Sequence, residues 1–520
     1  MPTESISRWQ RNGLLPQSAL RLLPLLAAIA ITGGCAVHPK PTTPDEIQAR
    51  ATTDQVKIYA NQEPIEHPIR FEEAVARALK YNLDYRLKLM ESALASGQAE
   101  LVSYDMLPSL LASAGYVFRN NYYVTNSVNI ETGETQLSNS TSQEKNRAIG
   151  SAALTWDLLD FGVGYYRARQ KGNELLMAEE RRQRVIQNIL QDVRISYWRA
   201  LAAQNLEQQT HTLHEKARQA LEMYRKAERE GIVPHKETLD FQRLMLDTVM
   251  LLSQREQDLE IAKRELAALM SIPPDTPFTL ADTLARELPP MPINARELED
   301  LALRTRPELR EEDYRVRVTA NEVRARMLSF FPNLSLSLTP QYDSNQYNLN
   351  QSWIDSGVKL GLNLLKLPSL PAAQRVNEAQ VKVDDARRMA LSMAILTQVR
   401  VALERYRLAL QDYQLARQSQ SLDDRLADYA NASLQSETGG ELELIRAKTR
   451  ALNSEYARYT AFATAQSAYG RIYNSVGLAV LPTDLKPELS VAELADVVSA
   501  HVTQVEQATL SAALTDGQTR

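Results

Sequence analysis

The sequence contains one cysteine in 520 residues, and this scarcity excludes an intramolecular disulfide framework and any cysteine-based metal cluster. Glycine and phenylalanine are also scarce, at 18 and 8 residues, which is untypical of a β-rich globular protein. Neither sign of charge dominates, because 59 basic and 64 acidic side chains give a net charge of −5, so the composition does not indicate a nucleic-acid partner. A mean hydropathy of −0.35, without repeated apolar runs of about 20 residues, excludes a multi-helix membrane protein. The abundant Ala, Leu, Gln, Glu and Arg instead favour long helices.

The N-terminus has the pattern of an export signal. Basic Arg8, Arg11 and Arg21 precede the apolar run 22–31, and small residues lead to Cys35. Small residues directly before a cysteine resemble bacterial lipoprotein signals, which implies cleavage of a signal peptide, 1–34, lipidation of Cys35 and a lipid-anchored tether over 35–68. The alternative is a plain signal peptide with an incidental cysteine, and either interpretation predicts export across the inner membrane.

The rest of the chain is an internal duplication. Residues 71–116 align without gaps with 295–340, and Leu154, Trp156 and Leu158 then align with Leu360, Leu362 and Leu364. Prolines concentrate in a joint over 271–292. We therefore predict a first repeat over 69–270, a second repeat over 293–478 and a C-terminal tail over 479–520, part of which has a helical pattern.

Each repeat contains two runs with a strict apolar–polar alternation. They predict strands at about 109–124, 148–161, 333–342 and 354–366, with the length and pattern of transmembrane β-strands. A soluble sandwich is the alternative, but the export signal and aromatic residues near the strand ends favour a membrane barrel. Four strands cannot close such a barrel, so several chains must contribute.

Long stretches without proline follow the strands in both repeats, over 162–230 and 372–438. Their apolar residues recur in steps of three and four, as at Ile186, Leu190 and Val193, which predicts coiled-coil seams. Breaks at 231–234 and 438–441 return the chain into a second helix. The predicted fold class is therefore an α+β membrane protein with long α-helical coiled-coil hairpins and four transmembrane β-strands per chain.

This duplicated plan resembles the TolC-like outer-membrane efflux factors, the exit ducts of tripartite efflux pumps and type I secretion systems. The resemblance rests on residues 69–79 with Asn82, the junctions 107–110 and 331–334, and the segments 154–162 and 302–309. It implies a homotrimer in the bacterial outer membrane, in which twelve strands form a β-barrel and twelve helices form an α-barrel across the periplasm. It also implies two partners, a periplasmic adaptor and an inner-membrane pump.

The resemblance assigns roles to residues near the hairpin tips and in the duct. The adaptor-docking tips would be Gly231, Ile232, Val233, Gly439 and Gly440, and Pro234 and the paired glycines depart from the usual family tip. Glu443 and Arg446 occupy positions where the family has acidic gating residues, and Arg446 reverses the sign; the alternative is a solvated charge pair on a helix face. Polar strand-face residues would line the water-filled lumen, namely Gln341, Lys359 and Asn363.

No pattern in the sequence indicates an enzyme or a cofactor. His211 and His214, with Glu207 and Glu215 nearby, lack the spacing of the zinc signature His-Glu-x-x-His, so we predict no metal site. No phosphate-binding glycine loop or nucleophile elbow is present. The predicted function is an efflux exit duct, and the alternatives are a type I secretion duct for polypeptides or a non-channel periplasmic coiled-coil adaptor or scaffold lipoprotein.

Overall fold

The computed structural model describes residues 40–125, 128–135, 139–230, 235–273, 276–281, 288–291, 294–438, 440–478 and 489–514. The chain divides into two units, of which the first ends at Ala60. Its described part, residues 40–60, contains helix α1, Pro44–Ile58, which begins with a capping box between Thr43 and Glu46 and has no buried residue. The signal peptide and Cys35, predicted from the sequence, lie outside the described residues.

The second unit contains the duplicated plan. Its helices in the first repeat are α2 (Phe71–Tyr81), α3 (Leu83–Ser103), α4 (Leu158–Arg229) and α5 (His235–Leu269). Those in the second repeat are α6 (Ala295–Thr305), α7 (Pro307–Leu328), α8 (Leu370–Gln435) and α9 (Glu441–Val476), and the tail forms α10 (Val491–Leu514). At 1.5 Å per residue, the 72 residues of α4 extend for about 110 Å. None of the described helices is long and apolar enough to cross a membrane.

Four strands within the described residues form one antiparallel sheet in the order β1-β2-β3-β4. They are β1 (Ser109–Phe118), β2 (Asn146–Asp157), β3 (Asn333–Asp343) and β4 (Ser352–Gly361). The sheet joins the repeats through β2 and β3, where Trp156 lies opposite Leu336. Beyond Phe118, the region predicted as strand to 124 continues into a loop with isolated bridges at Thr125 and Val128.

Two other strands end earlier than the sequence pattern predicts. β2 ends at Asp157 rather than near 161, because the side-chain oxygen of Asn333 accepts a hydrogen bond from the backbone N–H of Leu159 (3.4 Å) in the first turn of α4. β4 ends at Gly361 rather than near 366, because the chain enters a 3-10 helix, Leu364–Ser369. The alternating pattern of the sequence continues through both helix starts and therefore could not mark them.

The long helices pack as two hairpins, α4 with α5 and α8 with α9. Every residue of the predicted first seam is buried, as at Ile186, Val193 and Tyr197. In the second hairpin Ile395, Val399, Leu403 and Tyr406 of α8 are buried at steps of three and four residues. Helix α9 also packs against the first hairpin, through Leu452 and Tyr459 in a cluster with residues of α4 and α5.

The thickest core lies midway along α4. Phe71, Val75 and Leu79 of α2 pack there against α4 and the end of α5, and α10 covers them with its buried residues, Val491, Leu494, Ala495 and Val498. The hydroxyl of buried Tyr197 donates to the carbonyl oxygens of Ile69 (3.1 Å) and Ala281 (3.2 Å). The C-terminal tail is therefore part of the core of the first repeat.

Candidate duct wall and periplasmic tip

One face of the sheet is apolar and exposed. The register brings Trp156, Leu336 and Val358 side by side across three strands. Large apolar side chains on this face remain 69–73% exposed, at Tyr116, Phe118, Val358, Leu360 and Leu110. A monomeric soluble protein rarely leaves so large an apolar surface in water. We therefore expect this face to be covered by another molecule.

The opposite face of the sheet is mainly polar, although Leu111, Ile149 and Trp353 also lie on it. Asp157, Ser335 and Lys359 form a row across β2, β3 and β4, in which Asp157 accepts hydrogen bonds from the side chains of Ser335 and Asn333. Further along, the hydroxyls of Ser113 and Ser151 lie 2.7 Å apart. Two of the predicted lumen residues, Gln341 and Lys359, lie on this face, and Gln341 donates to Asp355. The third, Asn363, lies just after β4 and precedes the 3-10 helix.

Both edges of the sheet are unpaired in the single chain. β1 pairs only with β2, and β4 pairs only with β3, among the described residues. Two helices also have exposed apolar stripes. On α3 the stripe consists of Leu83, Leu87, Met90, Leu94 and Leu101, and on α8 it recurs every seven residues at Val401, Leu408, Leu415, Leu422 and Tyr429.

Most of the predicted docking tip lies outside the described residues, namely Gly231, Ile232, Val233 and Gly439. Gly440 is described and is the N-cap of α9. The second turn before it contains Glu437, which adopts a left-handed backbone with φ of 56°. The structure thus describes the second tip on both sides of Gly439.

The two gate candidates, Glu443 and Arg446, are exposed in the first turns of α9. They flank buried Ile445, which packs in a cluster with α4 and α5 residues including Phe241 and Met245. Among the described residues, neither side chain has an ion-pair partner within 4.0 Å. The structure therefore places both residues at the tip, but it does not join them to each other.

A polar contact that the sequence did not reveal joins the two hairpins about three turns above the gate candidates. Arg255 of α5 donates to the Asn453 side chain (3.3 Å), and its guanidinium carbon lies 4.2 Å from the ring centre of Tyr456, both on α9. The Tyr456 hydroxyl in turn donates to Asp258 (3.4 Å), which also pairs with Arg255 (3.3 Å). We call these four residues the inter-hairpin contact.

Near the inter-hairpin contact, two carboxyl groups have raised pKa values. Burial raises the pKa of Glu455; the positive charge of Arg458 lowers this pKa, and the negative charge of Asp424 raises it further. Burial also raises the pKa of Asp424, with a further contribution from Asp428. Both line a cleft of about 560 Å³ between α4, α8 and α9, in which Lys216 and Lys448 are the cations.

The histidines considered as metal ligands contact a carboxylate of α5. His214 Nδ1 lies 2.8 Å from one oxygen of Glu256 and His211 Nδ1 lies 3.4 Å from the other, while Glu207 pairs with Lys263. Within the described ranges, no three His, Cys, Asp or Glu residues are arranged to hold a metal ion.

The described residues thus form a four-stranded antiparallel sheet that two very long helical hairpins continue. Residues 75–271 match the family model described as "Outer membrane efflux protein". Over these residues the match confirms the resemblance to outer-membrane efflux factors that the sequence indicated.

Solved channel structures share this fold at low sequence identity. The outer-membrane channel OprN is 18% identical, with a TM-score of 0.58 over 85% of this chain and 99% of that one. The Campylobacter jejuni CmeC channel is 14% identical, with a TM-score of 0.61 over 90% and 99% of the two chains. The open-state MtrE channel of Neisseria gonorrhoeae is also 14% identical, with a TM-score of 0.60 over 78% and 89%. No curated protein matches the chain.

Proposed function

We propose that the protein is the outer-membrane exit duct of a tripartite efflux assembly. The observation that carries this function is the sheet, whose apolar face would meet lipid while its polar face, with Gln341 and Lys359, would line water. Its family and fold support the same role. Conduction would be passive, with energy supplied by the partner pump.

The unpaired edges support a homotrimer. A backbone edge left open in hydrocarbon would leave N–H and C=O groups without hydrogen bonds, at several kilocalories per mole each. Pairing β1 of one chain with β4 of the next satisfies these groups, and three chains supply twelve strands. Pairing of β1 with the neighbouring β4 would also bring the apolar stripe on α3 toward α8 of the neighbouring chain. The strands and the helices would then form closed rings in the same assembly.

Three finer assignments complete the proposal. The hairpin turns at 231–234 and 438–441 would dock a periplasmic adaptor linked to an inner-membrane pump. Glu443 and Arg446, at the exposed tip of α9, would contribute to the periplasmic gate. Lipidation of Cys35 would anchor the mature N-terminus in the outer membrane.

Conductance in planar lipid bilayers tests the duct. The purified protein is expected to insert as a trimer that resists heat in detergent and to form ion channels. Lys359→Glu should shift the reversal potential toward cations, whereas Lys57→Glu, the same charge change in α1, should leave it unchanged. A folded trimer that never conducts would refute the duct and favour a non-channel scaffold.

A second experiment separates the two duct functions. Deleting the gene and profiling drug susceptibility beside the secreted proteins should produce drug sensitivity with an unchanged secretome. Loss of a secreted polypeptide with unchanged susceptibility would instead support a type I secretion duct.

A further inference from the structure

The lower border of the apolar sheet face continues onto α4 as an aromatic stripe that ends in a cation. Trp156, on the apolar face, contacts Phe161 edge-to-face with ring centres 6.1 Å apart. Tyr165 and Arg169 follow at intervals of four residues, and such residues share one side of a helix. The Arg169 guanidinium lies 5.8 Å from the Tyr165 ring centre.

A second cation lies at the same border, just beyond β4. The apolar alternation of Val358 and Leu360 continues through Leu362 to Leu364, and Lys366 follows two residues later. Leu364 and Leu365 are 67% and 93% exposed. Lys366 donates a hydrogen bond to the Ser329 hydroxyl (2.7 Å), and its ammonium lies 5.4 Å from the Phe330 ring centre.

Neither cation is neutralised by a carboxylate of the described residues. Within the described ranges, no carboxylate lies within 4.0 Å of Arg169 or Lys366, and their contacts are aromatic rings and one hydroxyl. The Ser329 hydroxyl is itself committed, since it donates to the Arg326 carbonyl (2.6 Å). Each charge therefore keeps donors available for an external anion, directly below an exposed apolar surface.

We propose that Arg169 and Lys366 bind the headgroup phosphates of anionic phospholipids at the periplasmic border of the membrane. This surface, which we call the border site, offers apolar side chains for acyl chains (Trp156, Phe161, Leu364 and Leu365) and a cation for the phosphate. Aromatic residues and cations at the edge of an apolar surface fit the interface of an anionic leaflet. The inference rests on the membrane location in the proposed function, but not on conduction.

Lys359 provides a matched control on the opposite face. It lies seven residues before Lys366, within β4, on the polar face beside Ser335. The border site therefore predicts that removal of two lysine charges, so close in sequence, will have different effects on lipid binding.

The test uses the full-length trimer in mixed micelles of phosphatidylethanolamine and phosphatidylglycerol, with bound lipids counted by native mass spectrometry. Wild type should retain phosphatidylglycerol preferentially, and Lys366→Gln or Arg169→Gln should each lower that preference about fivefold. Lys359→Gln should keep the wild-type preference, and so should Lys366→Arg, which preserves the charge.

Two results would overturn the border site. One is an unchanged preference in both glutamine variants, and the other is an equal loss in Lys359→Gln. If one glutamine variant loses the heat-resistant trimer, the other glutamine variant is compared with Lys359→Gln. The border site requires the first of these to lose its preference for phosphatidylglycerol and the second to keep it. Failure of the proposed duct is distinguishable, since it shows as a trimer that retains phosphatidylglycerol but never conducts.

Discussion

Removing the guanidinium of the inter-hairpin contact by Arg255→Ala should loosen α9 from the first hairpin. The side chain is 27% exposed and makes one hydrogen bond and one ring contact to α9. A partly exposed cation–aromatic contact contributes about 0.5–1 kcal/mol, and a hydrogen bond from a charged group at the long distance of 3.3 Å adds about 0.5–1 kcal/mol. The expected loss is therefore about 1–2 kcal/mol, or roughly a 5- to 30-fold change in a local opening equilibrium.

Hydrogen exchange measures this opening directly. Amides of α9 around Asn453 and Tyr456 should exchange about 5- to 30-fold faster in Arg255→Ala. Arg243→Ala is the control, because that arginine is 73% exposed and pairs with Asp247 inside α5, and such a pair contributes little. A Tyr456→Leu variant should remove most of the same energy, so that the double variant is less than additive. Equal exchange rates in Arg255→Ala and Arg243→Ala would refute the reasoning.

Two further predictions concern the helical hairpins. The pKa of Glu455 is raised above its ordinary value of 4.5, so the folded protein holds a proton that the unfolded chain releases. The free energy of unfolding should therefore fall as pH rises above about 4.5. In denaturant titrations, Glu455→Gln should be more stable than wild type at neutral pH and should lose this pH dependence. Leu206 is 1% exposed between α4 and α5, so Leu206→Ala leaves a cavity and should lower the free energy of unfolding by about 2–5 kcal/mol. In the same titration, Lys226→Ala should change it by about 0.5 kcal/mol or less, because Lys226 is 73% exposed.

The features predictable from sequence are those set by local periodicity. The alternation around Leu334 and Leu360 predicts two strands, and the register places those residues opposite each other. The three- and four-residue steps of α4 predict its buried side through Ile186 and Tyr197. In both cases the side of the strand or helix on which a side chain lies follows from the spacing of the apolar residues around it.

Features that depend on relative position of distant helices were not predictable. The inter-hairpin contact joins residues almost 200 positions apart, and its formation depends on how far α9 slides along α5. The covering of α2 by Val498 and its neighbours is similar, because an apolar tail helix does not reveal which surface it will bury. The aromatic stripe that follows Trp156 depends on the change from strand to helix, and the alternating pattern does not mark that change.

The order of the sheet also sets the order in which it can form. β1 with β2 and β3 with β4 are each joined by a local loop, whereas the central pair closes a segment that contains four helices between Asp157 and Asn333. Pairing across so long a segment is slow, because loop closure must precede the contacts that stabilise it. Each chain will therefore expose two separate β-hairpins, with four unpaired strand edges, while its helices assemble. That interval is when aggregation competes with folding, so the folding of helices α4 to α7 determines how soon the four-stranded sheet can form.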